Sequence, residues 1–532
     1  MKSKMEERNR FYVTTSIAYA NSVPHIGYAM EVLQADALAR YNASKLGKDN
    51  VFFLSGTDEH GSKIKKTAAE KGMEPQAFVD ANAARFKELL ETLDASNDAF
   101  VRTTDAGHKA AAQKLWKKLA ENKDGSGESD IYPQTYQGNY CVGCEAFLTD
   151  RDLVDGKCPY HQKEPEKVEE MNYFFRVSRY LPEIKKRIES GELEIIPEAR
   201  KNEILNIIEN AEDVSFSRPK SSLDWGIPVP GDEDQVMYVW CDALTNYISA
   251  LGYGNDGDDF QKFWLDNKDI VHVIGKDILR FHAMVWPAML LSAGLPLPKK
   301  ICVHSFITSG GQKMSKSLGN VIDPFEVARR YGVEPLRYYL LKEIPTTEDG
   351  DFSYERFEET YKSDLQNGLG NLVSRVLAMT EKYFDGKIPV FDEARASEVL
   401  VPKAILENFQ SIGDDLRSTD QDLSILCRRA EENRDSQIES FQLNFAIGEA
   451  MVLVNILDKY IQYYEPFKLV KEDKEKTACV LNKCLETIFV INDIIAPFLP
   501  ETARKISGQC GERFETGAKV KKGEALFPRL EE

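Results

Sequence analysis

The stretch FYVTTS (residues 11–16) predicts a strand, and apolar residues at helical spacing from Ile26 to Ala37 predict a long helix directly after it. The run VFFL (residues 51–54) is short and continuously apolar, as expected for a strand that is buried on both faces of a parallel sheet. Strand, helix and strand in this order predict a βαβ unit. The chain therefore begins with an α/β domain.

A second unit of the same kind lies far downstream. Residues 269–275 (DIVHVIG) and 300–308 (KICVHSFIT) predict strands, and residues 277–293 between them predict a helix. Residues 120–235 differ in composition, since they are rich in Gly, Pro and charged residues. We interpret them as an insertion that splits one sheet domain. From about residue 364 to about 507, helical periodicity predicts an antiparallel helix bundle.

Composition limits the class of protein. Of the 532 residues, 42% are hydrophobic and 29% charged, which is typical of a globular chain. We see no apolar run long enough for a membrane span and no apolar secretory signal in MKSKMEERNR (residues 1–10), and nine scattered cysteines indicate a reducing compartment. We therefore predict a cytoplasmic location, with no membrane partner. The net charge of −18 argues against general electrostatic binding of nucleic acid, so we predict no DNA partner.

The start of the first helix carries the motif Pro24-His25-Ile26-Gly27-Tyr28. A helix N-terminus exposes unpaired N–H groups and a positive dipole end, which suit a nucleotide phosphate. Gly27 would let a nucleotide approach the backbone, and His25 can donate to phosphate oxygens. The alternative is that His25 only caps the helix or packs against it.

A second motif follows the second βαβ unit, in the glycine-flanked segment GGQKMSKSLG (residues 310–319). Lys313 and Lys316 make this loop cationic, so it could close over a triphosphate and neutralise charge as pyrophosphate leaves. The alternative is a solvated Lys/Ser turn, which the presence of the first motif makes less favourable.

The predicted insertion contains a metal-binding pattern. Cys141-x-x-Cys144 and Cys158-x-x-His161 are two close pairs with the spacing of a tetrahedral zinc knuckle. Four ligands without an open position predict one structural zinc ion. The alternative is a chance grouping of buried thiols. The remaining cysteines show no such spacing.

Residues His25–Tyr28 and Lys313–Ser317 resemble the HIGH and KMSKS signatures of class I aminoacyl-tRNA synthetases, whose catalytic domain is a Rossmann-type parallel sheet. The resemblance implies that His25, Tyr28, Lys313 and Lys316 are catalytic and bind ATP together with Gly27. Tyr28 replaces the second histidine of HIGH. A tyrosine carries no positive charge, but it can donate one hydrogen bond to phosphate. We therefore expect activity to be kept.

Neighbouring stretches resemble the methionyl-tRNA synthetase family nearly end to end, among them FFLSGTDEHG (residues 52–61), VMYVWCDALTNYISAL (residues 236–251) and IGKDI (residues 274–278). The resemblance implies activation of methionine with ATP and its transfer to tRNA. It assigns Asp58 to the α-ammonium group, and Gly275 and Asp277 to the ribose. The implied methionine pocket is lined by Ile17, Tyr19, Trp240, Ala243, Leu244, Tyr247, Ile278, His282 and Val285.

Those residues also have simpler interpretations. Asp58 could be a helix N-cap, and the stripe from Trp240 to Tyr247 could be plain core. A class I enzyme for another amino acid is a rival, although the insertion is too short for an editing domain and the pocket lacks a thiolate cluster. A catalytically inactive tRNA-binding relative is a second rival, against which both lysines of the second motif argue.

The helical half is expected to bind tRNA. Asn371 and Arg375 lie one turn apart on a predicted helix and resemble the family's anticodon-reading pair, and Phe467 stands where the family has a stacking tryptophan. Alternatively, Phe467 is a bundle-core residue. The resemblance implies methionine tRNA, both initiator and elongator, as partner, Mg²⁺ with ATP, and a monomer because the C-terminal extension of some members is absent.

The predicted domains follow from these assignments. They are a first catalytic half, the connective insertion with the zinc knuckle, a second catalytic half, a stem-contact linker and an anticodon-binding helical domain, over residues 1–119, 120–235, 236–325, 326–370 and 371–532.

Overall fold

The computed structural model describes residues 9–143, 146–148, 153–255, 257–314 and 320–530. The chain forms two compact units. Unit 1 comprises Met1–Ala35 and Asn42–His304, and unit 2 comprises Asp36–Tyr41 and Ser305–Glu532. Among the described residues, no helix is both long and apolar enough to cross a membrane.

Unit 1 alternates strands and helices. In chain order these elements are β1 (Phe11–Thr14), β2 (Ala18–Tyr19), α1 (Ile26–Leu46), β3 (Val51–Asp58), α2 (Ser62–Glu70), α3 (Pro75–Thr92), β4 (Ala99–Arg102), α4 (Ala106–Glu121), β5 (Ile131–Cys141), β6 (Ala146–Leu148), β7 (Glu166–Phe175), α5 (Leu181–Glu189), β8 (Glu194–Ile196), α6 (Glu198–Glu209), β9 (Val214–Ser215), β10 (Ser217–Pro219), β11 (Pro228–Val229), β12 (Asp232–Met237), α7 (Val239–Leu244), α8 (Asn246–Ser249), α9 (Asp258–Phe260), β13 (Ile270–Gly275), α10 (Trp286–Ala293) and β14 (Lys300–His304).

The central sheet has the order β2-β3-β1-β13-β14-β8, with β4 added beside β3, and its pairings are parallel. Val13 on β1 pairs with Phe53 on one side and with Val271 on the other. Strands from the two distant βαβ units therefore form one sheet, which confirms the predicted Rossmann-type domain split by an insertion. Strands β3 and β13 lie on opposite sides of β1, so the strand order reverses at β1. In folds of this kind, ligands bind in a crevice outside the carboxyl ends of the strands at that point, here β1 and β13.

Two predicted elements differ from the structure. The strand predicted over residues 300–308 is two strands, because Ser305 and Phe306 leave the sheet and bond to Thr347 and Asp349 instead. The helix predicted over residues 277–293 is a 3₁₀ turn, a π-helical turn (Phe281–Val285) and then α10. Pro287 explains the change of winding, since it has no N–H for a bond to the preceding turn.

The predicted insertion contains an antiparallel sheet. Strand β5 pairs with β6 and β7, and β7 pairs with β9. The same range of the sequence also supplies β8, whose Ile195 pairs in parallel with Ile301 of β14. Residues 194–196 therefore extend the central sheet at its edge.

Unit 2 begins with a small sheet and continues as helices. Its elements are β15 (Ile307–Ser309), β16 (Gln312–Lys313), α11 (Pro324–Tyr331), α12 (Val333–Tyr338), β17 (Gly350–Phe352), α13 (Tyr354–Thr360), α14 (Asn371–Phe384), α15 (Lys403–Leu406), α16 (Asp414–Arg417), α17 (Leu423–Glu439), α18 (Leu443–Tyr464), α19 (Pro466–Leu469), α20 (Lys474–Ile495) and α21 (Pro500–Cys510). Helices α17, α18 and α20 pack against one another, and this confirms the predicted helix bundle.

Candidate active site and metal centre

His25 is the N-cap of α1 at the edge of the crevice. Its Nδ1 accepts a hydrogen bond from the backbone N–H of Gly27 at 3.1 Å, so the ring carries its proton on Nε2 when it is neutral. A Cβ on Gly27 would lie 2.9 Å from Cε1 of His25, which explains the glycine. The cap predicted as the alternative role is therefore present, and it leaves His25, which is exposed, with Nε2–H as a donor.

Tyr28 turns its hydroxyl into the core. Its Oη lies 2.8 Å from Oγ of Ser55 on β3, and Ser55 Oγ lies 2.8 Å from Oγ1 of Thr15. The ring packs edge-to-face on Phe86 at 5.0 Å, and burial raises the pKa of Tyr28 well above its usual value. The structure thus places this hydroxyl in a buried chain that joins α1 to β3 and to Thr15, the residue after β1.

Glu31 and His304 form a polar pair that the sequence analysis missed. Glu31 Oε1 accepts from the backbone N–H and the hydroxyl of Ser16 at 2.7 and 2.6 Å, and its Oε2 lies 2.8 Å from Nε2 of His304. A Cβ on Gly275 would lie 2.9 Å from Oδ1 of Asp277 and 3.7 Å from Cε1 of His304, so Asp277 and His304 pack closely against the backbone of Gly275. The signal available in the sequence was that Glu31 follows Gly27 by one helical turn.

Asp58 lies at the carboxyl end of β3 and is buried. It pairs with Tyr19 of β2, and its carbonyl accepts from Ala20 N at 2.8 Å. The N-cap of the following helix is Gly61, so the alternative prediction of an N-cap at Asp58 is wrong. Asp58 therefore lies at the carboxyl end of the sheet, where the β2–β3 pairing places it beside Tyr19.

Trp240, Tyr247 and His282 are connected in one cluster of side chains. The Trp240 ring stacks on Phe281 with a centroid distance of 3.9 Å and an angle of 4°, and Phe281 was not predicted. The Tyr247 hydroxyl lies 2.6 Å from Nε2 of His282, while Nδ1 of His282 lies 3.0 Å from the carbonyl of Ile278.

The protonation of this cluster follows from its burial. Burial lowers the pKa of His282 to about 4, so the ring is neutral at pH 7. Its Nδ1–H donates a hydrogen bond to the Ile278 carbonyl, and its Nε2 accepts a hydrogen bond from the Tyr247 hydroxyl. Burial also raises the pKa of Tyr247, which keeps that hydroxyl a donor.

Apart from Tyr247, His282 and Asp58, the residues predicted for the methionine pocket divide into two groups by their burial. Ala243, Leu244 and Val285 are at most 3% exposed and belong to the core, as the simpler interpretation of this stripe predicts. Ile17, Tyr19, Trp240 and Ile278 are half-buried, so they present surface that a ligand could cover.

The second phosphate motif lies at the start of unit 2. Lys313 ends the hairpin β15–β16, whose turn has Gly310 and Gly311 at φ of 62° and 72°. Only glycine adopts such angles readily, which explains the pair. Oδ1 of Asp351 accepts from Gly311 N at 2.8 Å and from Thr308 Oγ1 at 2.7 Å. Lys316 lies outside the described residues.

The predicted zinc ligands Cys141, Cys158 and His161 are close together. Their ligand atoms all lie within 4.8 Å of one another. His161 Nδ1 is 3.9 Å from Sγ of Cys141 and 3.7 Å from Sγ of Cys158, near the value of about 3.6 Å that tetrahedral zinc would impose. A Cβ on Gly143 would lie 2.5 Å from the His161 ring, so the backbone there accommodates the imidazole. Cys144 lies outside the described residues.

In unit 2 the predicted anticodon-reading residues lie on accessible surface. Asn371 begins α14 and is exposed, and Arg375 Nη1 lies 2.6 Å from Oδ1 of Asp458 on α18. Phe467 is 46% exposed, so the alternative prediction of a bundle-core residue is wrong. Tyr463, which was not predicted, is 61% exposed at the end of α18.

Comparisons with known proteins identify the family of this chain. The family model "tRNA synthetases class I (M)" matches residues 11–168 and 160–377. Methionine–tRNA ligase from Clostridium acetobutylicum is 41% identical over 99% of this chain and 79% of its own length, and the enzyme from Brucella suis is 40% identical over 94% and 91%.

A solved structure of Mycobacterium tuberculosis methionyl-tRNA synthetase in complex with methionyl-adenylate is similar over 98% of this chain and 100% of its own, with a TM-score of 0.87 and 34% identity. Sequence family, curated relatives and solved structure point to the same activity. The chain belongs to the methionine class of the class I tRNA synthetases, which activate methionine and attach it to tRNA.

Proposed function

We propose that methionine binds in unit 1 between Asp58 and the Trp240–Tyr247–His282 cluster. Asp58 would pair with the substrate's α-ammonium group, since a buried carboxylate at the crevice edge suits a cation. The half-buried Trp240 and Ile278 would cover the thioether, for which apolar and aromatic contacts are favourable. The neutral His282 supports this assignment, because a charged ring would oppose an apolar side chain.

ATP would lie across the start of α1 and the ends of β13 and β14. The first-turn N–H groups of α1 and the Nε2–H of His25 would donate to phosphate oxygens. Gly275 and Asp277 would bind the ribose at the carboxyl end of β13. Lys313 and Lys316 would neutralise the leaving pyrophosphate, and Mg²⁺ brought with ATP would add positive charge there.

The chemistry then needs few groups. A carboxylate oxygen of methionine attacks the α-phosphorus, and the bond from that phosphorus to the pyrophosphate oxygen breaks. The carboxylate is already a nucleophile, so no general base is required and the side chains act by orientation and charge. In the second step a hydroxyl of the tRNA's terminal adenosine attacks the adenylate carbonyl and releases AMP.

One structural zinc ion would be held by Cys141, Cys158, His161 and Cys144. Two buried thiols beside an imidazole are the donor set that zinc prefers, and four protein ligands leave no position for a substrate. Zinc would stabilise the fold of the β5–β7 region, and it would take no part in the reaction.

For tRNA binding, Asn371, Arg375 and Phe467 would contact anticodon bases, by hydrogen bonds and by stacking. Both initiator and elongator methionine tRNA are proposed partners, with residues 326–370 contacting the stem and residues 371–532 forming the anticodon-binding domain. We propose that the protein acts as a monomer in the cytoplasm.

The observation that carries these assignments is that the cap of His25 and the Tyr247–His282 pair lie in the same unit, whose strands end at one crevice. Amino-acid-dependent ATP–pyrophosphate exchange tests the substrate, with methionine beside isoleucine, leucine, valine and cysteine. Exchange with methionine alone is expected. Exchange with another amino acid would contradict the pocket.

A further inference from the structure

A buried His–Asp–His cluster lies behind the proposed methionine pocket. Asp242 Oδ2 lies 2.6 Å from Nδ1 of His60, and its Oδ1 lies 2.7 Å from Nε2 of His108. The three side chains are at most 3% exposed. The carboxylate therefore accepts one hydrogen bond on each oxygen, from residues 182 and 134 positions away in the sequence.

Each partner brings a different element to the carboxylate. His60 follows Asp58 by two residues, beyond the end of β3. His108 lies in the first turn of α4, and its Nδ1 is 2.8 Å from Oγ of Ser249 at the end of α8. Asp242 itself lies on α7, two residues after Trp240 and directly before Ala243.

The side of the cluster that faces β3 is itself fixed. Trp225 donates from Nε1 to the carbonyl of Glu59 at 2.7 Å, and its ring lies 5.5 Å from that of His60. The Glu59 carboxylate accepts from Arg102 Nε at 2.7 Å, and Glu59 N donates to Thr103 Oγ1 at 2.9 Å. The backbone that carries Asp58 and His60 is therefore held on both sides.

Packing alone does not account for a carboxylate at this place. A buried charge is unfavourable unless it is fully paired, and apolar residues of the same volume would fill the space without that requirement. A fully satisfied polar network, in contrast, fixes one relative arrangement of the elements that it joins. Helix α7 has only six residues, so its own backbone bonds do little to fix its position.

We propose that Asp242 is a positioning residue for methionine, which fixes α7 against the end of β3 through His60 and against α4 through His108. Through these two contacts the separation between Trp240 and Asp58 is set, and with it the length of amino acid that the pocket accepts. This inference rests on the proposed methionine pocket. Asp242 takes no part in the chemical step.

The test uses pairs of variants that differ in one donor. His60→Ala removes the donor to Asp242, whereas His60→Asn keeps an amide N–H where Nδ1 stands; His108→Ala and His108→Gln are the corresponding pair for Nε2. In pyrophosphate exchange we expect each alanine variant to raise the KM for methionine by about tenfold, the effect of one hydrogen bond to a charged group. The kcat and the KM for ATP should change less than about twofold, and the amide variants should recover most of the loss.

Asp242→Asn provides an isosteric variant in case an alanine variant does not fold. It keeps the shape and one acceptor oxygen, and we expect its KM for methionine to rise severalfold. Asp130→Asn is the matched control, because Asp130 is also a fully buried carboxylate of unit 1 and accepts from Ser292 Oγ at 2.6 Å, without bonds to the pocket. It should lower thermal stability and leave the KM for methionine unchanged.

The outcomes separate the possible failures. Recovery in the amide variants, together with an unchanged KM in Asp130→Asn, supports the positioning role. Equal KM values for the alanine and amide variants, or an equal rise in Asp130→Asn, would overturn it in favour of a general effect on folding. Trp240→Ala tests the pocket itself, and an unchanged KM for methionine in that variant would overturn the proposed pocket first and this inference with it.

Discussion

The hydroxyl of Tyr28 lies 2.8 Å from Oγ of Ser55 and is turned into the core, although its motif is the one associated with phosphate binding. At the start of α1, the exposed group of the motif is the imidazole of His25. Tyr28, which stands where the motif has its second histidine, thus joins α1 to β3 in this chain. In the proposed site, His25 and the N-terminus of α1 would bind the phosphates.

Replacement of Tyr28 by Phe tests that relationship. We expect the free energy of unfolding to fall by about 1 kcal/mol, because one buried hydrogen bond is lost, and kcat of pyrophosphate exchange to fall by less than tenfold. Denaturant unfolding and exchange kinetics measure the two effects. A fall in kcat of more than about a hundredfold with unchanged stability would show that the hydroxyl acts on phosphate.

The buried His282 predicts a pH dependence of stability. Burial lowers its pKa to about 4, from about 6.5 in the unfolded chain, so the unfolded state binds the proton more readily. The free energy of unfolding is therefore highest above pH 6.5, as far as His282 is concerned. It falls by about 3 kcal/mol as the pH is lowered from 6.5 to about 4, and it levels off below that.

His282→Gln should remove this part of the pH dependence. The measurement is denaturant unfolding of both proteins between pH 4 and 7.5, and the difference between them isolates the histidine from the carboxylates that titrate in the same range. Parallel stability curves for the two proteins would contradict a neutral, buried His282.

Zinc content tests the metal centre. We expect one zinc ion per chain in the purified protein and less than about a tenth of that in Cys158→Ala, because a tetrahedral site that loses one thiolate binds zinc far more weakly. Cys302→Ala is the control, since Cys302 is equally buried but lies on β14. Metal analysis by mass spectrometry gives the result, and full zinc in Cys158→Ala would refute the ligand set.

Phe467→Ala and Tyr463→Ala test the tRNA surface. Stacking on a base contributes about 1–3 kcal/mol, so the KM for tRNA in aminoacylation should rise about tenfold or more, while pyrophosphate exchange stays unchanged. Phe445→Ala is the matched control, because Phe445 is 57% exposed near the other end of α18. An equal effect of Phe445→Ala would indicate a general loss of bundle stability.

The predictions that succeeded depended on local pattern. The succession of apolar runs around Ile26 predicted the α/β sheet, and the spacing of Cys141, Cys158 and His161 predicted their grouping. Periodicity and spacing are properties of short stretches of sequence. Because helices and turns have a regular backbone geometry, residues at a given spacing in such a stretch lie close together in space.

What the sequence did not reveal depends on contacts between distant residues. Glu31 meets His304 across 273 positions, and Asp242 meets His60 across 182, so no local pattern marks either pair. The burial of Tyr28 likewise depends on Ser55, which only the packing of α1 on β3 brings into reach.

In the proposed active site, methionyl-adenylate occupies the crevice between the cap of α1 and the Trp240–His282 cluster. A crystal structure of the protein with a non-hydrolysable methionyl-adenylate analogue tests it most directly. We predict the thioether against Trp240 and Tyr247, the ammonium group on Asp58 and the ribose at Asp277. An analogue bound with its side chain away from Trp240, or its ammonium group away from Asp58, would contradict the proposed methionine pocket.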